Sequence, residues 1–301
     1  LARVAELEGE QEPPAPAKTF QFGCGGGNVD PGPLEARIGN KLGLRRIYHS
    51  AGKDPLQNVD RIALDNIAAG RGGTEASWKI PVSMASAATG GADDWFRQIA
   101  TALNTVIGPS DYRVRVAFNH EPENDNPSAT AAVQDTYRDD WCRMQNRAAA
   151  IFKEVCPKAE FGVILMGYHS LQAFWGQYYP RWSLANLQAR LDLAKIDYLG
   201  LDIYDYGDRS AFTPAFKEVQ TFARGHGIDW GLSETGLTGV TFALNRNWFP
   251  DMVTLVKEHG GSFIDYFNSS LNSPAVWEFT PGDAREVAFG KALAAIKAGT
   301  L

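Results

Sequence analysis

Glu121 and Glu234 are the two side chains of this chain best placed to work as a pair. Each follows a β-rich run and precedes a turn: FNHEPEND spans Phe118 to Asp125, and GLSETG spans Gly231 to Gly236. Two carboxyl groups carried to one place by distant segments are what hydrolysis of a glycosidic bond requires. One protonates the leaving oxygen, and the other stabilises or captures the oxocarbenium-like carbon from the far side of the sugar ring.

Local chemistry explains why these acids should stand at a rim. Glu121 closes the run YRVRVAFNHE, whose valines and Phe118 alternate as in a buried strand, and Pro122 removes the next ladder donor. Glu123 is the rival, two residues on and on the same face if the strand continues, but Pro122 argues against that continuation. Glu234 follows the apolar IDWGLS, and Thr235 and Gly236 can turn sharply and leave its side chain in the mouth of a site. A capping or loop acid is the structural alternative, although no helical apolar stripe follows at once.

The elements that must position these groups alternate along the chain. Short β-rich runs are expected at 19–24, 44–49, 78–84, 112–121, 160–168, 197–204, 229–234 and 262–268. Amphipathic helices are expected at 33–42, 58–70, 92–106, 135–155, 184–195, 212–226, 244–259 and 283–298. Strand followed by helix, repeated through residues 19–301, predicts an α/β fold of the (β/α)₈ TIM-barrel type as a single catalytic domain. A doubly wound sheet would want a dinucleotide fingerprint at its first turn. GCGGGN at Gly23 to Asn28 lacks the GxGxxG spacing and the ribose-binding acid beyond it. The opening LARVAELEGEQEPPAPAK, residues 1–18, reads as a linker or tail, the end of a charged helix and a proline-rich spacer.

In a barrel the strand C-terminal ends meet on one face, and the expected ends gather Cys24, His49, Ser50, Asn119, His120, Glu121, His169, Asp202, Tyr204, Glu234 and Asn268. Flat apolar faces for sugar rings are offered by Trp175 and Trp182, with Tyr178 and Tyr179, after the fifth strand, and by Trp277 after the eighth. Trp95, Trp141 and Trp248 fall inside expected helices and read as packing residues.

Composition bounds the partners. With a net charge of −6, the chain lacks the basic footprint that nucleic acid or an anionic membrane rewards. No apolar run of about 18 residues is present to span a bilayer. Cys24, Cys142 and Cys156 are too few and too scattered for a disulfide framework or a metal spacing. His49, His120 and His169 at expected strand ends could instead hold zinc, with water in a fourth position, although the first strand has no HxH. A barrel that binds glycans or receptors without turning them over is a further reading. It is disfavoured because binding gains nothing from two mutually repelling carboxylates.

HEPE at His120 to Glu123, SETG at Ser233 to Gly236 and LGLDIY at Leu199 to Tyr204 resemble clan A of the glycoside hydrolases, and within it family 26, the β-mannanase-type enzymes. Pro122, Glu123 and Asn124 stand where that family commonly has Met, Asn and Gly, and Thr235 replaces its aromatic. The resemblance implies a retaining two-glutamate mechanism, with Glu121 as acid/base after strand four and Glu234 as nucleophile at strand seven. It implies that His120 contacts the nucleophile or a sugar hydroxyl and that Tyr204 hydrogen-bonds the nucleophile. His49, Asn119, His169, Asp202, Trp175 and Trp277 complete the expected substrate-binding set. The expected substrate is a β-linked polysaccharide or cell-surface glycan, with no cofactor or metal. The expected setting is extracellular, wall-associated or virion-associated, as part of a larger multidomain or phage tail protein.

Overall fold

A computed structural model describes residues 19–26, 30–50, 59–125, 130–174, 180–205, 207, 210–270 and 276–301, except for the side chains of 60 and 61. The linker expected at 1–18 and the aromatics Trp175, Tyr178 and Tyr179 lie outside the described residues.

Eight parallel strands close into a barrel in sequence order: β1 (Gln21–Gly25), β2 (Leu44–His49), β3 (Gly73–Trp78), β4 (Arg113–Phe118), β5 (Glu160–Met166), β6 (Tyr198–Asp205), β7 (Asp229–Leu237) and β8 (Phe263–Phe267). Helices cover the outside. The longest, Ala131–Val155, starts at Thr130, whose side chain accepts a hydrogen bond from the Val133 amide, and the helix Phe212–His226 ends at Gly227 with φ 65°. Between strands and helices lies the apolar belt, where Phe118 packs on Trp78, Trp95, Phe96, Phe152 and Phe161.

The third strand is displaced from its expected place at 78–84 to Gly73–Trp78. GTEASW carries polar residues on the face that enters the barrel: Glu75 ion-pairs with Arg46, and Ser77 meets His120. A strand with a polar inner face and Thr74, Ala76 and Trp78 turned to the helices does not show the apolar alternation expected of it. The following KIPVS is a connection, and Ser83 caps the short helix Met84–Ala88 by accepting from the Ser86 amide. Three expected helices are also broken. The 58–70 segment divides at Ala63, 184–195 is helical only over Leu184–Gln188 with a separate 3₁₀ turn at Leu193–Lys195, and 244–259 is replaced by Gly239–Leu244 and Trp248–Glu258.

The barrel interior is built in layers. A lower apolar plug joins Leu44, Ala117, Ile164, Tyr198 and Phe263, one from each of five strands. Arg115 lies beside it, with its guanidinium 4.0 Å from the Phe263 ring centroid and hydrogen-bonded to Gln21 at 2.6 Å. Higher up the filling turns polar, with Arg46, Glu75, Ser233, Asp202 and Asp265 all buried. Barrel interiors are dominated by branched apolar side chains, so this inversion marks the upper half as the place where burial serves something other than stability.

Candidate active site

Glu121 is not the last residue of its strand. β4 stops at Phe118, and both Asn119 (φ 43°) and Glu121 (φ 52°) adopt left-handed backbone, which non-glycine residues enter only when the surroundings impose it. The surroundings are visible. The Ile80 amide donates to Asn119 Oδ1 at 2.9 Å, and the Glu121 amide donates to the Ile164 carbonyl at 3.0 Å. From the long outer helix, Gln145 Nε2 donates to Phe118 O at 2.7 Å and Trp141 Nε1 donates to Asn119 O at 3.0 Å. The 3₁₀ turn Pro122–Asn124 follows, and Asn124 Nδ2 reaches back to Glu121 Oε2 at 3.4 Å.

Glu234 is delivered differently. It lies inside β7, which runs on to Leu237, and the pairing with β6 skips a residue: Leu201 faces Leu232, but Asp202 faces Glu234. Ser233 is the extra residue of a β-bulge. Successive strand residues ordinarily face opposite ways, yet here both Ser233 and Glu234 turn inward, Ser233 to Glu75 at 2.7 Å and Glu234 to Tyr204. Gly200 makes the room, because a Cβ there would meet Ser233 Oγ at 2.0 Å.

Together these devices bring carboxylate oxygens of Glu121, Asp202 and Glu234 within 4.8 Å of one another. Tyr204 Oη donates to Glu234 Oε2 at 2.6 Å, and Arg46 Nη2 stands 3.8 Å from Glu234 Oε1, with the guanidinium 4.6 Å from the Tyr48 ring centroid. The pKa of Glu234 is raised on balance, because burial outweighs the opposing pull of Arg46 and of the Tyr204 and Tyr48 hydroxyls. Burial, and then the charge of Glu234, pushes Glu121 up to about 7. Asp202, with no exposed surface, is raised well above the carboxylate range by burial and by both neighbours. The environments are therefore unequal. Cation and phenol donors surround one glutamate, whereas the other is left as the better proton carrier near neutral pH.

The remaining expected residues divide. His120 is in the site: its Nδ1 lies 3.1 Å from Ser77 Oγ and its ring 5.9 Å from that of Tyr48. Burial and the nearby Arg46 and Lys79 charges hold its pKa well below the ordinary value, so its ring is neutral. His49 is turned away, stacked on Trp78 at 4.5 Å on the helix side of the wall, because Tyr48 takes the inward position beside it. Asn119 braces the loop through Ile80 and Asp125 rather than opening into the site. His169 stands on the helical turn Gly167–Ser170 after β5. Trp277 is 1% exposed and stacked on Tyr204 at 4.9 Å, so it backs the tyrosine instead of presenting a free face. Trp175 lies outside the described residues. The three histidines do not converge. Among the described residues, the acidic trio is the one group of such side chains that comes together, and Arg46 already supplies a positive charge beside it.

Glu123 is buried and receives the Ser170 hydroxyl at 2.8 Å, with burial pushing its pKa up to about 8. It points to the helix after β5, not to the trio. Glu123→Gln keeps that hydrogen bond and should leave the rate within about threefold of wild type. A loss as large as that of Glu121→Gln, measured side by side, would move the proton-carrying role to Glu123.

Arg46, Tyr48, Glu75 and Ser77 went unread in the sequence. The available signal was a charge on the inward parity of β2 and another on that of β3, each inside an otherwise buried run.

No protein-family model matches this chain, and no curated protein matches it in sequence. Solved structures do match in shape. A family GH26 β-mannanase from Bacteroides ovatus superposes with a TM-score of 0.63 at 16% identity, over 93% of this chain and 90% of that one. A β-glycosidase from Pyrococcus horikoshii gives 0.61 at 10% identity, over 95% and 99%. A β-mannanase from a symbiotic protist of the termite Reticulitermes speratus, complexed with gluco-manno-oligosaccharide, gives 0.58 at 14% identity, over 92% and 87%. At such identities the likeness is one of fold: a (β/α)₈ barrel along nearly its whole length.

Proposed function

We propose that this chain is a retaining glycoside hydrolase of the clan A type, acting on a β-linked polysaccharide or cell-surface glycan, with Glu121 as acid/base and Glu234 as nucleophile. The observation that carries the reading is the approach of the two carboxylates, from after β4 and from β7, to within 4.8 Å in unequal electrostatic settings. Retaining enzymes hold their carboxyl groups about 5–5.5 Å apart, whereas inverting ones leave about 6.5–9.5 Å for a water. The fold shared with proteins named as β-mannanases and a β-glycosidase supports the same class.

In this reading Glu121, protonated near neutral pH, gives its proton to the glycosidic oxygen as Glu234 attacks the anomeric carbon. Tyr204 and Arg46 keep the attacking oxygens ionised. Glu121, now a carboxylate, takes a proton from water as that water displaces Glu234 from the sugar. His120 lines the position of the reacting ring, Asp202, fully buried, backs the two glutamates, and His169 would supply a rim contact.

Product stereochemistry tests the mechanism. Proton NMR during hydrolysis of a panel of β-mannan, β-glucan and mixed-linkage oligosaccharides should show the β anomer of the new reducing end first, with the α anomer appearing only by mutarotation. Initial α product would sink the retaining assignment. Binding of a panel member without any product would favour a non-catalytic glycan-binding barrel.

A further inference from the structure

Glu75, on β3, has no exposed surface, so it cannot touch a substrate, yet its two oxygens reach the support of Glu234 by separate routes. Oε2 lies 3.7 Å from Nε of Arg46, whose Nη2 lies 3.8 Å from Glu234 Oε1. Oε1 accepts a hydrogen bond from Ser233 Oγ at 2.7 Å, and Ser233 is the extra residue of the bulge that turns Glu234 inward. One guanidinium thus stands nearly midway between two buried carboxylates.

We propose that Glu75 is a positioning residue for the nucleophile: it holds part of the Arg46 charge away from Glu234 and pins the bulge beside it. The inference rests on the assignment of Glu234 as nucleophile. A guanidinium committed to Glu234 alone would make a tight ion pair, leaving a carboxylate of low basicity and weak nucleophilicity. Withdrawn altogether, it would leave a buried carboxylate that takes up a proton instead of attacking. The nearly equal distances on the two sides fit the intermediate condition, ionised but not fully compensated.

Other groups face the pair. Tyr48 from β2, Asp202 and Tyr204 from β6, and Glu121 beyond β4 surround Glu234, and burial raises its pKa against the opposing pull of Arg46. Tyr198 from β6 and Asp265 from β8 face Glu75, with Arg115 lower in the barrel. Arg46 is the cation that lies between Glu75 and Glu234, so a change at Glu75 must be felt at Glu234 through it.

The test reads Glu234 directly and needs no substrate. In protein labelled with carbon-13 at glutamate side-chain carboxyls, the Glu234 signal is assigned by its loss in Glu234→Gln, and its pH midpoint is followed. Glu75→Gln keeps the shape of the side chain but removes its charge. The midpoint of Glu234 should fall by about one pH unit. An unchanged or raised midpoint overturns the proposal. Ser233→Ala keeps the charge of Glu75 but frees Oε1 from its donor, so Glu75 draws Arg46 harder and the Glu234 midpoint should rise. An unchanged or lowered midpoint there overturns it equally, and this milder variant keeps the test alive if Glu75→Gln does not fold. On the substrate found with the glycan panel, Glu75→Gln should lower kcat about tenfold with KM little changed. Absence of any hydrolysis by wild type would defeat the functional reading alone, because the NMR titration still decides the role of Glu75.

Discussion

Glu234→Gly should abolish turnover on every substrate, with a loss on the order of 10⁵-fold, because in the proposed mechanism it removes the group that forms the first new bond. The loss should not depend on the leaving group. Restoring a nucleophile restores a reaction of different outcome: azide placed in the space left by the side chain attacks the β-glycoside directly and should yield the α-glycosyl azide. In wild type, a 2-deoxy-2-fluoro glycoside matched to the substrate should trap an ester, and peptide mass analysis should find it on Glu234. An ester found instead on Asp202, whose buried carboxyl group lies within 4.8 Å of both glutamates, would transfer the nucleophile's role to β6.

Glu121→Ala should divide substrates by their leaving groups. With poor leaving groups the rate should fall by about 10²- to 10⁴-fold, since the departing oxygen must leave without a proton. With a dinitrophenyl leaving group the first step should stay fast and the second should limit. Azide should then speed turnover and give the β-glycosyl azide, the opposite anomer from that of the Glu234 variant. Wild type kcat/KM should decline as pH rises through about 7, where Glu121 loses the proton that the proposed mechanism has it donate, and this limb should vanish in Glu121→Ala. The same upward shift has a stability sign. A carboxyl whose folded pKa stands near 7 and whose unfolded pKa is near the ordinary carboxylate value favours the folded state less as pH climbs between them. Glu121→Gln should therefore raise the melting temperature relative to wild type more at pH 8 than at pH 5. An equal change at both pH values would mean that Glu121 is not held protonated in the folded protein.

Much of this was legible from local chemistry. The βα alternation is a matter of neighbouring residues, and so is the placement of Glu121 before Pro122 and of Glu234 before Thr235 and Gly236. Tyr204 could be read because β6 alternates regularly, and it carries Asp202 on the same face. What escaped depended on partners distant in sequence. Nothing near Arg46 announces that it will stand between Glu75 and Glu234, and nothing near Ser233 announces an extra residue in β7, because a bulge is visible only against the strand beside it. β3 was misplaced for a related reason: its inward residues are polar because they answer other polar residues across the barrel. His49 was drawn into the site by its position at a strand end, but parity sends it outward.

The left-handed turn at Asn119 and Glu121 has a consequence for anyone who would transplant this chemistry. The turn is not self-sufficient, since consecutive carbonyls at Phe118 and Asn119 are held by Gln145 and Trp141 of the outer helix Ala131–Val155. The portable unit is therefore β4, its rim turn and the outer helix, together with the neighbouring backbone at Ile80 after β3 and Ile164 in β5 that holds Asn119 and Glu121. A graft of the short loop into another barrel would carry the glutamate but not the clamp that sets its direction.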